Sequence, residues 1–101
     1  MNLKKTNKVR YSAPELLHGN YNDSVDVWGI GVILFMLLSG DYPFDGSSKS
    51  TIFKRIKEKR IHYSKYNFER LEIKLLRKLL EKDPEKRIEI EEILEDPFFT
   101  S

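Results

Sequence analysis

Few side chains in this sequence are of a type and spacing that could do chemistry. His18 and His62 are the sole histidines and stand too far apart for a metal-ligand pattern, so both read as surface or boundary residues. Cysteine is absent, which removes thiol catalysis, disulfides and cysteine-based metal sites. Asp41-x-x-x-Asp45-Gly46 starts like a calcium loop, but Pro43 takes the third position and Ile52 the twelfth, where a bidentate glutamate is required. Asn22-Asp23-Ser24 fits a glycosylation acceptor, yet nothing else points to secretion. What remains is Asp26. Asp26 heads an apolar segment; it is either a carboxylate favoured by a helix dipole or a buried one that must be hydrogen-bonded.

The elements that would position this group are helical. The chain has 101 residues, 40% hydrophobic and 34% charged, which suits one compact domain with a packed core and a charged exterior. From Ser24 or Asp26 to Leu38 the sequence is apolar on every side, and a helix of that kind must be enclosed all round. Its run from Ile30 to Leu38 falls well short of the ~20 residues a membrane span needs, so no membrane partner is expected. Gly29 and Gly31 lower helix propensity and so predict close backbone approach. Thr51 to Lys59 reads as an amphipathic helix with Ile52, Phe53 and Ile56 inward, Ser50 or Thr51 as its cap and a basic outer face. Phe68 to Glu81 repeats leucine at helical spacing, and Glu89 to Glu95 forms a last short helix before Pro97. The fold class is all-α, a central buried apolar helix with three or four others packed on it. Lys4 to Lys8 lacks periodicity and reads as a loop or frayed end.

Charge is unevenly spread about a net +2. Lys49 to Lys65 is basic apart from Glu58, whereas Glu85 to Asp96 is acidic apart from Lys86 and Arg87. The basic segment is suited to an acidic surface, with Lys54, Arg55 and Lys57 as docking candidates. Nucleic acid as partner is argued against by the acidic C-terminal half and the low net charge.

Five landmarks occur in a fixed order: Tyr11-Ser12-Ala13-Pro14-Glu15, Asp26-Val27-Trp28-Gly29-Ile30-Gly31, Ser39-Gly40-Asp41-Tyr42-Pro43-Phe44, Asp83-Pro84-Glu85-Lys86-Arg87 and Asp96-Pro97-Phe98-Phe99. In that order they resemble the C-terminal lobe of a protein serine/threonine kinase, most like the calcium-dependent and calcium/calmodulin-dependent branch. The resemblance covers residues 9 to 99, so the expected organisation is a disordered or foreign leader at 1–8 and a partial C-lobe from 9 to 101. It implies that Glu15 pairs with Arg87 in a buried salt bridge 72 residues apart in sequence. It implies that Asp26 matches the aspartate that holds the catalytic loop, and that Trp28, Ile33 and Leu37 are core positions of the stacked hydrophobic spines. Val9 to Ser12 would line the pocket for the substrate residue after the phosphorylated one, with Val9 and Ser12 as its named members. Asn7 and Lys8 depart from the family's Gly-Thr, and Glu89 from its Ser or Thr cap, so the last helix is expected to be weakly capped.

Phosphoryl transfer uses a glycine loop over the phosphates, a lysine with its glutamate, the base of His-Arg-Asp, a metal-holding asparagine and the aspartate of Asp-Phe-Gly. The 101 residues contain none of these. The expectation is a kinase-domain fragment that is inactive alone, with no catalytic, metal or cofactor residues of its own; ATP and magnesium belong to the parent enzyme. Its partner is then the rest of the kinase domain or another protein in the cytoplasm. A docking module built on residues 51–60 is the competing reading, and an apolar helix stripped of neighbours is expected to drive self-association.

Overall fold

The computed structural model describes residues 9–19 and 22–100, and at 17 and 18 the backbone alone. The leader expected over 1–8 and the side chain of His18 therefore lie outside the described residues. Among residues 14–100 that are described, five α-helices follow in order: α1 (Asp23–Ser39), α2 (Lys49–Glu58), α3 (Arg70–Leu79), α4 (Ile90–Ile93) and α5 (Pro97–Thr100), with 3₁₀ turns at Pro14–His18 and Tyr63–Lys65. The described residues contain no strand. None of their helices is long and apolar enough to cross a membrane.

Helix α1 starts where Asn22 accepts a hydrogen bond from the Ser24 amide and stops at Gly40, whose φ of 77° only glycine adopts cheaply. Its inner side carries Trp28, Val32 and Phe35 into a core shared with Phe44, Ile52, Ile56 and Leu76. A second cluster joins Val27 to Leu75, Leu79 and Ile93. The leucine spacing of α3 thus serves both clusters, since successive leucines fall on adjacent flanks of one helix face. Tyr42-Pro43-Phe44 contributes packing: Phe44 stacks on Trp28 with ring centroids 5.8 Å apart.

Four local expectations change. Helix α2 begins earlier than Thr51, because Ser48 accepts from the Thr51 amide and so caps it in place of Ser50 or Thr51. Gly31 is the site of close approach: a Cβ there would lie 2.8 Å from Leu79 Cβ, whereas one at Gly29 would meet nothing within 4 Å. Glu89 caps α4 through a reciprocal capping box with Glu92, in which the Glu89 amide donates to the Glu92 carboxylate at 3.4 Å. Finally, α1 is not enclosed. Ile33 is 51% and Leu37 78% exposed, with Ile30 and Leu38 beside them also open, so neither Ile33 nor Leu37 is a core residue of this chain. An apolar helix surface needs a cover, and the residues that would cover this one are not among those described.

Candidate functional site

The buried polar centre of the molecule is a clasp between Glu15 and Arg87. Glu15 stands in the 3₁₀ turn that Pro14 opens, its fixed φ suiting the first helical position. Arg87 stands in the turn after Asp83-Pro84, where proline ends α3's continuation. The two meet as a bidentate pair, Nη1 donating to Glu15 Oε2 at 2.6 Å and Nη2 to Oε1 at 2.9 Å. Arg87 also donates through Nε to the Glu81 carbonyl at 2.7 Å and through Nη1 to the Ser24 carbonyl at 2.9 Å. One guanidinium therefore ties together the segment before α1, the first turn of α1 and the end of α3. Burial alone would raise the Glu15 carboxyl; the hydrogen bonds and charge of Arg87 outweigh it and hold the group below the usual carboxylate range.

Beside the clasp, a cavity of about 550 Å³ opens between Asn22–Ser24 and the segment 84–91. Val27 and Arg87 line it, and the Arg87 guanidinium also lies 5.1 Å from the centroid of the Trp28 ring. Asp26, two residues before Trp28 on α1, is exposed and faces water. It shares the open face of α1 with the apolar stripe of Ile30, Ile33 and Leu37, to which helical spacing joins it.

Val9 and Ser12 stand together at the start of the described chain. Val9 is buried in the main core, and Ser12, half-buried, donates its amide to the Val9 carbonyl at 3.0 Å. Of the docking candidates, Lys54 and Arg55 lie on the outer side of α2, where Arg55 donates to the Asp45 carbonyl at 2.5 Å. Lys57 instead lines a groove on the other side. Asp45, whose spacing hinted at calcium, accepts from Arg10 Nε at 2.7 Å and from the Gly46 amide at 2.8 Å, and so serves the loop itself. Among the described residues no group of three acidic or imidazole side chains could hold a metal ion.

Two further polar groups, Lys82 and Asp96, are given no role by the sequence, although Asp96 opens one of the five landmarks. Lys82 places its amine 4.2 Å from the Phe44 ring centroid and donates to the Ile56 carbonyl. Burial lowers its pKa from 10.5 to about 8, despite the neighbouring Glu81 charge. Asp96 is buried, receiving Lys78 Nζ at 2.6 Å and the Phe98 amide at 2.9 Å.

Comparison with known proteins agrees with this architecture. The family model described as Protein kinase domain matches residues 4–99. Calcium-dependent protein kinase 29 of Arabidopsis thaliana is 43% identical over 93 residues, covering 89% of this chain and 17% of that protein. Serine/threonine-protein kinase ppk34 of Schizosaccharomyces pombe is 39% identical over 94 residues, covering 89% and 26% respectively. The chain thus spans about a fifth of the length of such relatives. In the solved structures, the Rad53 kinase domain in complex with AMPPNP superposes with a TM-score of 0.81 at 28% identity, over 92% of this chain and 39% of that one.

Proposed function

Because this chain belongs to the protein kinase domain family, as a helical C-lobe portion of a serine/threonine kinase domain, we propose that it acts as the substrate-side scaffold of an ATP-dependent phosphotransferase. The ATP- and magnesium-holding residues are supplied from outside these 101 residues. The observation that carries this reading is the open face of α1: an exposed carboxylate at Asp26 continuous with an exposed apolar stripe. Solvent gains nothing from such a stripe, whereas a packed neighbour would bury it at about 25 cal/mol per Å². Asp26 would then receive backbone N–H groups of the catalytic loop, a charge-assisted contact that fixes the loop's shape. The clasp holds the segment from Val9 to Ser12 to the rest of the lobe, which is the support a substrate-facing loop requires. Transfer to protein hydroxyls draws on the cytoplasmic nucleotide pool, and we place the protein there.

The test is phosphate transfer from ATP to a serine peptide in the presence of magnesium. The chain alone should transfer none. Grafted in place of the matching region of Calcium-dependent protein kinase 29, it should support transfer, and Asp26→Ala in that chimera should lower kcat by at least about tenfold. Transfer by the chain alone would refute the reading. So would a folded chimera that is inactive, or one indifferent to Asp26→Ala.

A further inference from the structure

A groove on another side of the molecule has no part in that scaffold. It runs between the C-terminal end of α2 with its following connection and the C-terminal end of α3, and encloses about 830 Å³. None of the open-face residues of α1 lines it. Lys57, Lys59 and Arg60 stand on one wall, Arg77 and Lys82 on the other; Glu58 and Glu81 are the only acids between them.

These five cations are not spent on ion pairs among the described residues, whose salt bridges join Arg10 to Asp45, Lys78 to Asp96 and Arg87 to Glu15. Two are instead steadied by rings. The Arg77 guanidinium lies 5.5 Å from the centroid of Tyr63, and Lys82 rests over Phe44. A guanidinium lying over a ring keeps its in-plane N–H edge for a carboxylate, so such contacts orient the charge without using it up. Between the walls, Phe44, Ile61 and Tyr63 offer apolar surface. A ligand matching this lining is anionic along its length and apolar at one point.

We propose that this groove binds an acidic peptide segment of a partner protein, its carboxylates flanking one apolar side chain. Nucleic acid fits less well. A duplex presents an unbroken line of phosphates, and the acidic surface from Glu85 to Asp96 would repel it beyond the groove. The cations here are gathered in a concave site of a size that admits a few side chains. Of the residues whose charge suggested docking from sequence, only Lys57 belongs to it; Lys54 and Arg55 face elsewhere.

Fluorescence anisotropy of the full chain tests this, using a short labelled peptide with glutamates on both sides of one phenylalanine, and its glutamine counterpart. The glutamate peptide should bind at least about tenfold more tightly, and the advantage should shrink as salt is raised. Arg60→Glu with Arg77→Glu should weaken it at least about tenfold, and Arg60→Gln with Arg77→Gln by a lesser factor. Lys54→Glu should stay within about twofold. Equal binding of the two peptides overturns the proposal, as does a Lys54→Glu loss as large as that of the groove variants. Tighter binding of a short DNA or RNA duplex than of the peptide also overturns it. Circular dichroism of each variant separates lost binding from lost structure, and the phosphotransfer test of the chimera stands or falls independently of these binding outcomes.

Discussion

Replacing Arg87 by methionine keeps most of the side chain's volume and removes its charge. The guanidinium is fully buried and its five N–H groups reach six acceptors, both Glu15 oxygens, the carbonyls of Glu81, Ser24 and Lys82, and the Ser24 hydroxyl, with Nη1 sharing its two hydrogens among three of them. Its loss strands the Glu15 carboxylate, which is only 7% exposed, and leaving one partner of a buried pair costs about 3–5 kcal/mol. Partly buried carbonyls left unpaired add to this, so the sum is on the order of 5 kcal/mol. A domain of this size has only ~5–15 kcal/mol of stability. At about 4–8 °C per kcal/mol, thermal unfolding followed by circular dichroism should move down by roughly 20–40 °C. Glu15→Leu combined with Arg87→Met should recover most of the loss, because replacing a whole buried pair with apolar groups is often near neutral. Because Glu15 is held below its ordinary pKa, the clasp contributes fully above the unfolded carboxylate value of about 4.3 and fades as pH falls through the folded one. Wild type and Arg87→Met should therefore converge in acid. An Arg87→Met midpoint within about 5 °C of wild type at neutral pH, or a double variant that is merely additive, would refute this account of the clasp.

Three further outcomes are expected. Lys82 loses charge on burial, so the unfolded chain binds more protons between pH 8 and 10.5, and stability should rise with pH through that window. Lys82→Met should stabilise the chain near neutrality and flatten the rise in chemical denaturation; Tyr63, pushed up to about 12, opposes it only above its unfolded value of about 10. Gly31→Ala should cost ~1–3 kcal/mol by pressing on Leu79, whereas Gly29→Ala, with open space around it, should gain up to ~1 kcal/mol in helix propensity, both read from denaturant midpoints. Leu37→Glu with Ile33→Glu should leave the unfolding midpoint nearly unchanged and abolish concentration-dependent association in sedimentation velocity; a wild-type chain that stays monomeric at high concentration contradicts the exposed-stripe reasoning.

Much of this was readable before any coordinates. The leucine spacing of α3 and the apolar run of α1 are periodic over several turns, and such patterns survive tertiary context. The clasp was legible only through family resemblance, since no local rule joins residues so far apart. Other features needed the packed structure. Gly29 and Gly31 look alike in sequence, and only the arrival of α3 beside one of them separates their roles. Glu89 looked a poor cap when judged by its own propensity; its partner Glu92 completes the reciprocal pair. Ser48, Ser50 and Thr51 could each cap α2, and the choice follows from turning Ile52 and Ile56 to the core. The burial of Ile33 and Leu37 was inferred from apolarity, which says that a surface calls for a cover but not where the cover resides. Lys82 is one of many lysines, and its placement over Phe44 depends on the turn after α3.

The stacked pair Trp28 and Phe44 gives the molecule an optical handle. Trp28 is the single tryptophan, fully buried, with the Arg87 guanidinium on one side and the Lys82 amine 5.8 Å away on another. One fluorophore thus adjoins both the residue that closes the clasp and a residue that lines the basic groove. Emission from the unlabelled chain should report loosening of the former as a red shift and filling of the latter as a change in quenching, two events distinguished by a single indole.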